Sequence, residues 1–164
     1  MKNNKAKKAV SMLSAAALLS TASVIPSFAE NNVKLYINEV CTGNTGTNGN
    51  LTGAVDKKGE YCDWIELYNA GSETVSLKGF SLVKDDKDSY AFEDITIGAG
   101  EYKIVYCCKT YNGDMSVPHA AFNLSGDGVK LTLKQGDMDI DSAAVPALAD
   151  DTVWGRKDDG GSFT

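Results

Sequence analysis

From Val33 onward the chain is a series of short segments in which apolar and polar residues alternate, separated by clusters of Gly, Asn, Asp and Ser. A period of two puts every second side chain on one face, the pattern of a strand with a buried side. Val33–Val40 places Leu35 and Ile37 together. Asp63–Asn69 (DWIELYN) sets Asp63, Ile65, Leu67 and Asn69 against Trp64, Glu66 and Tyr68. Both faces carry large apolar groups, so this strand should be covered on both sides. In Val75–Val83 the phase changes between Leu77 and Phe80, and a bulge at Gly79 would return Val75, Leu77, Phe80 and Leu82 to one face. Tyr90–Ile97 reads as one or two short strands. Glu101–Cys108 reads as another, with Tyr102, Ile104 and Tyr106 on one side. Val129–Lys134 turns Val129, Leu131 and Leu133 inward. Met138–Val145 sets Met138 and Ile140 against Asp139 and Asp141, Pro146 stops it, and Trp154–Arg156 begins a last short strand.

Seven or more short strands with no helical pattern between them argue an all-β fold, an antiparallel sandwich or barrel. Parallel pairing needs crossovers that this pattern lacks. The polar, glycine-rich run from Cys41 to Tyr61 reads as an exposed, mobile loop.

The first 29 residues differ. Lys2, Lys5, Lys7 and Lys8 form a basic start, Ala9–Ile25 is apolar and small, and Ser27-Phe28-Ala29 offers a small-x-small cleavage site. This is the pattern of a secretory signal peptide cut after Ala29, and its apolar run is short for a membrane span. Residues 30–164 then form one domain of ordinary size, exported to the extracellular space or the cell surface. Cleavage removes four of the 16 basic residues and none of the 22 acidic ones, taking the net charge from −6 to −10. Such a surface repels phosphate backbones and anionic bilayers, so neither nucleic acid nor, after cleavage, membrane is an expected partner.

Export permits disulfides. If the strands ending at Cys41 and beginning at Cys62 form a long hairpin, those two sulfurs lie near each other; a set of buried thiols is the alternative, and four cysteines allow three pairings. Cys107 and Cys108 are neighbours on a strand, so their side chains diverge. Glu66, between Trp64 and Tyr68, fits a general acid of raised pKa or a framework group that accepts hydrogen bonds, and the framework role is the expectation. The one histidine, His119, lacks a nucleophile context such as G-x-S-x-G. Asp85, Asp86 and Asp88 in one turn, and Asp137, Asp139 and Asp141 at a hairpin, are weak calcium candidates, because neither cluster forms an EF-hand loop. Asp139 and Asp141 should share a solvated face. No cofactor is expected.

The order of these segments resembles the lamin-tail domain in its bacterial secreted form. The resemblance runs through INEV (37–40), DWIELYN (63–69), LKGFSLVKDD (77–86), IGAGEYKIVYC (97–107), HAAFNLSGDGVKLTL (119–133) and WGRKDDGG (154–161). It implies an immunoglobulin-like antiparallel β-sandwich over residues 30–164. It also implies an accessory module of a larger exported protein, similar to those preceding spore-coat-H-type kinase domains. The family continues past GR-x-x-DG into a further strand, so the domain reads as truncated at its C-terminal end. Arg156, the chain's one arginine, belongs to the closing motif, and a two-pronged pair with Glu66 or Asp63 would tie the last strand to the sandwich. Asp63, Trp64, Glu66 and Arg156 are therefore expected to be structural.

The expected function is a non-catalytic exported module that binds a protein or a cell surface. A carbohydrate-binding sandwich, calcium-dependent or not, with Tyr61 or Tyr111 stacking on sugar rings, is the alternative. So is the N-terminal part of a secreted enzyme such as a spore-coat-H-type kinase.

Overall fold

A computed structural model describes residues 33–47, 58–111 and 116–164. The signal-peptide expectation lies outside these residues. They form eleven strands and no helix: β1 (Leu35–Cys41), β2 (Asp63–Asn69), β3 (Val75–Ser76), β4 (Phe80–Lys84), β5 (Asp88–Ala91), β6 (Thr96–Ile97), β7 (Tyr102–Cys107), β8 (His119–Ala120), β9 (Val129–Gln135), β10 (Met138–Val145) and β11 (Val153–Gly155). A five-stranded sheet runs β11-β1-β2-β7-β8, a four-stranded sheet runs β10-β9-β4-β5, and β3 pairs with β6.

The alternating rows form the core between the two larger sheets. Leu35, Ile37, Val40, Ile65, Leu67 and Val105 meet Phe80, Leu82, Leu131, Leu133, Ala143 and Val145. The architecture is the immunoglobulin-like β-sandwich that the resemblance implied.

Two bulges carry information that simple alternation misses. In β1 the register against β2 shifts between Ile37 and Glu39, so Asn38 is the extra residue. Continued alternation would drive Glu39 into the core; the bulge brings Val40 there instead. In β10 the register shifts between Asp139 and Asp141. Asp141 then stands opposite Leu133 on the core side, whereas Asp139 stands opposite Lys134 and pairs with it in solvent. The expected shared face of Asp139 and Asp141 is thus split by one inserted residue.

Four further expectations need correction. Gly79 is not a bulge: a turn closed by Phe80 N–H donating to Leu77 C=O (2.8 Å) separates β3 from β4, and Gly79 takes its left-handed position at φ 86°. The turn still returns Leu77, Phe80 and Leu82 to the core. The start of the β1–β2 loop is anchored rather than exposed, since Thr42 and Asn44 are buried and Asn44 Nδ2 donates to Cys62 C=O. The five-stranded sheet contains a short parallel pair, Tyr106 with His119 and Cys107 with Ala120, and the described residues between these strands form no helix. Finally, the disulfide joins Cys62 to Cys108, with Cα atoms 5.3 Å apart, and Cys41 and Cys107 are buried thiols. β2 has β1 on one side and β7 on the other. Against β1, Cys41 faces Trp64, two residues past Cys62; against β7, the register Asp63↔Cys107 continues to Cys62 opposite Cys108.

Arg156 joins the edge of one sheet to the other, and its partner is Asp141, not Glu66 or Asp63. Its Nη2 lies 2.8 and 2.7 Å from the two Asp141 oxygens. Its Nε donates to Ile37 C=O, its Nη1 donates to Gly161 C=O, and Asp141 Oδ2 accepts the Ile37 N–H. Glu66 and Asp63 are spent elsewhere, on an amide and on loop N–H groups.

Both side chains of this pair are shielded, at 9% and 13% exposure. Arg156→Ala should therefore leave a buried carboxylate unpaired and cost about 3–5 kcal/mol, lowering the melting temperature by roughly 10 °C or more. Arg156→Lys, which keeps the charge and loses the fork, should fall between. Thermal denaturation followed by circular dichroism checks the order; three superimposable curves would refute it. The Cys62–Cys108 bond spans 46 residues and on the chain-entropy model contributes about 4 kcal/mol. Reduction should lower the denaturant midpoint accordingly, and peptide mapping that linked Cys41 to Cys62 would overturn the pairing.

Candidate functional site

The outer face of the five-stranded sheet carries most of the polar and aromatic groups that the core leaves over. Three rows cross it in register. Tyr36, Tyr68 and Tyr102 form one end; Glu39, Glu66 and Ile104 form the middle; Cys41, Trp64, Tyr106 and His119 form the other end.

The last row is closed over. Trp64 is 5% exposed and Cys41 is fully buried. Tyr111 stacks on Tyr106 and on His119, with centroids 6.1 and 4.5 Å apart, beside the disulfide. The His119 Nε2 sits 3.1 Å from Cys108 C=O, and the sulfur of Cys108 is bound in the disulfide. Burial pushes the Cys41 thiol up to about 12 and raises that of Cys107 well above its usual value. Both therefore stay protonated at neutral pH and lack the thiolate a nucleophile needs. Tyr111 is buried at 7% exposure, which removes it as a ring for sugar stacking; Tyr61, at 38%, remains at the surface. The Trp64 Nε1–H has no hydrogen-bond partner among the described residues.

The ends of the inner row of β2 are polar and buried. Asp63 accepts the N–H groups of Gly43 (2.7 Å) and Leu124 (2.9 Å). Burial raises its pKa although these bonds pull the other way. Asn69 donates to the C=O groups of Glu73, Ile97 and Gly98 and accepts the Gly71 N–H. Both side chains hold loop backbone that would otherwise be buried without partners.

Glu66 lies on the open part of the outer face. Its Oε1 accepts a hydrogen bond from Asn38 Nδ2 at 3.0 Å. The same amide donates to Asp159 Oδ1 at 3.1 Å, and the other Asp159 oxygen accepts the Tyr102 hydroxyl. Asp159 belongs to a hairpin in which Arg156 bridges to Phe163, with Trp154 and Phe163 stacked 4.1 Å apart. The tip of that hairpin closes over Tyr36. Gly160, at φ 69°, donates to Asn38 Oδ1, and a Cβ there would come within 2.8 Å of the Tyr36 ring. INEV, DWIELYN and WGRKDDGG, three of the segments that carry the resemblance, thus converge at Asn38, Glu66 and Asp159.

Sequence reasoning singled out Glu66 but missed Asn38, Asp159 and Tyr102, and it put Asp141 on a solvated face as a calcium candidate instead of pairing it with Arg156. The one available signal was negative: the middle row contains carboxylates but no cation. Among the described residues, no ion pair involves Glu39, Glu66 or Asp159. The opposite holds for the calcium candidates. Asp85 and Asp88 pair with Lys84, Asp86 pairs with Lys130, and no described group of three or more acids, histidines or cysteines is placed to hold a metal.

Glu39 has a raised pKa, first because it is partly buried and then because Glu66 and Asp159 repel its charge. An acid whose folded pKa exceeds its unfolded one binds its proton more tightly in the fold. Its charge therefore costs stability above that folded pKa, and the cost disappears as pH falls below the unfolded value. Glu39→Gln should melt higher than the parent at pH 7, and the two curves should converge below about pH 4. A variant that melts lower at pH 7 would contradict the repulsion.

The Lamin Tail Domain family model matches residues 29–146. No curated protein matches the chain significantly. Arg156 and its hairpin lie beyond the matched residues yet complete the edge of the sheet. With most of the chain matched and its described residues folded as the sandwich expected of that family, the chain belongs to the lamin tail domain family, a non-catalytic immunoglobulin-like fold.

Proposed function

We propose that this protein is an exported, non-catalytic β-sandwich module that binds a protein or a cell-surface ligand, and that it serves as an accessory domain of a larger secreted protein. One observation carries the reading. The polar groups that chemistry would call on are committed to the framework: Asp63 to loop N–H groups, Arg156 to Asp141 and Ile37, and His119 to a ring stack. The open part of the outer face, by contrast, keeps carboxylates and Tyr102 toward solvent. A rigid sheet with one dressed face presents a surface rather than a reaction centre.

A sugar-binding face is the second reading, favoured by the exposed rings of Tyr61 and Tyr102. A calcium requirement adds little to it, since the acids at Asp85, Asp86 and Asp88 already face lysines.

Expression of the full chain in a secreting bacterium tests the reading. The exported product should begin at Glu30 and should turn over no phosphoester, glycoside or nucleotide substrate. Turnover that is abolished by Glu66→Gln would sink it. A glycan array, run with and without chelator, separates the sugar reading from protein binding.

A further inference from the structure

We infer that the outer face of the five-stranded sheet, between the Tyr68–Tyr102 stack and the carboxylates of Glu39, Glu66 and Asp159, receives lysine or arginine side chains from an extended basic segment of a partner protein. The inference rests on the binding-module reading and names the ligand chemistry of that face.

Charge is the first argument. The three carboxylates come from three parts of the chain: β1, β2 and the C-terminal hairpin. Asn38 holds two of them together by donating one amide hydrogen to each. No described cation offsets them, although Asp85, Asp86, Asp88 and Asp139 on the other sheet each sit beside a lysine. Like charges gathered without a counter-ion repel one another, and an incoming cation relieves that repulsion.

The rings are the second argument. Tyr68 and Tyr102 stack with centroids 4.8 Å apart, and Tyr102 is 46% exposed. The hydrogen bond from its hydroxyl to Asp159 fixes the ring beside the carboxylates. Aromatic faces next to carboxylates attract ammonium and guanidinium groups.

The molecule already uses this chemistry on itself. At the border of the same face the Arg156 guanidinium lies over the rings of Tyr36 and Phe163, 5.1 and 4.1 Å from their centroids, and pairs with Asp141. The site beside it has the same components without the cation. A neutral sugar would leave the carboxylate repulsion in place, and Tyr68 and Tyr102 already cover part of each other's faces. A divalent ion lacks a set of converging ligands among the described residues.

The test uses the processed product of the full chain and a fluorescent peptide of alternating Gly and Lys, with its lysine-acetylated form as control, read by anisotropy at low and moderate salt. The parent protein should bind the basic peptide, prefer it at least tenfold over the acetylated one, and weaken as salt rises. Glu66→Gln, which keeps an oxygen for Asn38, and Asp159→Asn should each weaken binding about tenfold. Glu39→Gln, whose carboxylate accepts no hydrogen bond from the Asn38 amide, is the second variant should the first two fail to fold by circular dichroism, and it too should weaken binding. Tyr102→Ala should weaken binding severalfold. Asp139→Asn removes the same charge from the opposite sheet and should change nothing. Equal weakening by Asp139→Asn, equal binding of the acetylated peptide, or no binding by folded parent protein would each overturn the inference. A neutral glycan bound here in place of the basic peptide would overturn it and leave the binding-module reading standing, whereas substrate turnover lost in Glu66→Gln would remove that reading itself.

Discussion

The sandwich depends on one ion pair placed where its two sheets have to meet. Asp141 and Arg156 together grip both backbone polar groups of one residue of β1: the carboxylate takes the Ile37 N–H and the guanidinium donates to the Ile37 C=O. These backbone groups would otherwise face the seam without a strand beside them, because β11 pairs only with Glu39–Cys41. The pair therefore stands in for a missing strand. Its cost is the desolvation of two charges, and that cost is offset only when the geometry is complete. Here the guanidinium donates from Nε, Nη1 and Nη2, and its faces lie against Tyr36 and Phe163. Removing any member leaves the others buried and underused, so the arrangement acts as a unit.

That clamp also orders the face above it. Arg156 anchors the hairpin whose tip carries Asp159 and Gly160, and the tip reaches Asn38 and Tyr102. The β1 bulge, in which Asn38 is the extra residue, turns Glu39 to the outer face opposite Glu66. The same bulge exposes the Ile37 backbone groups to the clamp. One local irregularity thus supplies both the seam and the amide that gathers Glu66 with Asp159. The acid between two aromatics is held by a neutral donor, which leaves its charge uncompensated, whereas an arginine partner would have cancelled it.

The strands and the core rows were legible because burial imposes a period of two that any reader of the chain can count. Leu35, Ile65, Leu67, Leu131 and Leu133 needed nothing else. What alternation cannot report is which strand lies beside which, and in what register. Cys62 has two neighbouring strands, and its sequence neighbour offered Cys41 while the fold offered Cys108. A bulge is equally silent: Ile140 looks like the next inward residue, yet inserting it turns Asp141 from the solvent to Arg156. The glutamate at the centre of the face was found by its odd placement between rings. Asn38 and Asp159 looked like ordinary polar residues, and distances of 28 and 121 residues along the chain hid their meeting.

The two faces of the sandwich obey different electrostatic rules, and the difference follows from where the lysines fall. β9 alternates Lys130 and Lys134 with its buried leucines, so a strand that fills the core also sends cations outward to meet Asp86 and Asp139. β2 has no lysine at its outward positions. Trp64, Glu66 and Tyr68 go there instead, next to Glu39 of β1. Neutralising an outward carboxylate with an outward lysine on the next strand is a cheap device, and the four-stranded sheet uses it repeatedly. Its absence from the five-stranded sheet leaves negative charge concentrated beside rings on a rigid surface. A chain of net negative charge that balances one sheet and not the other has a polarity, and that polarity gives the open face its chemical character.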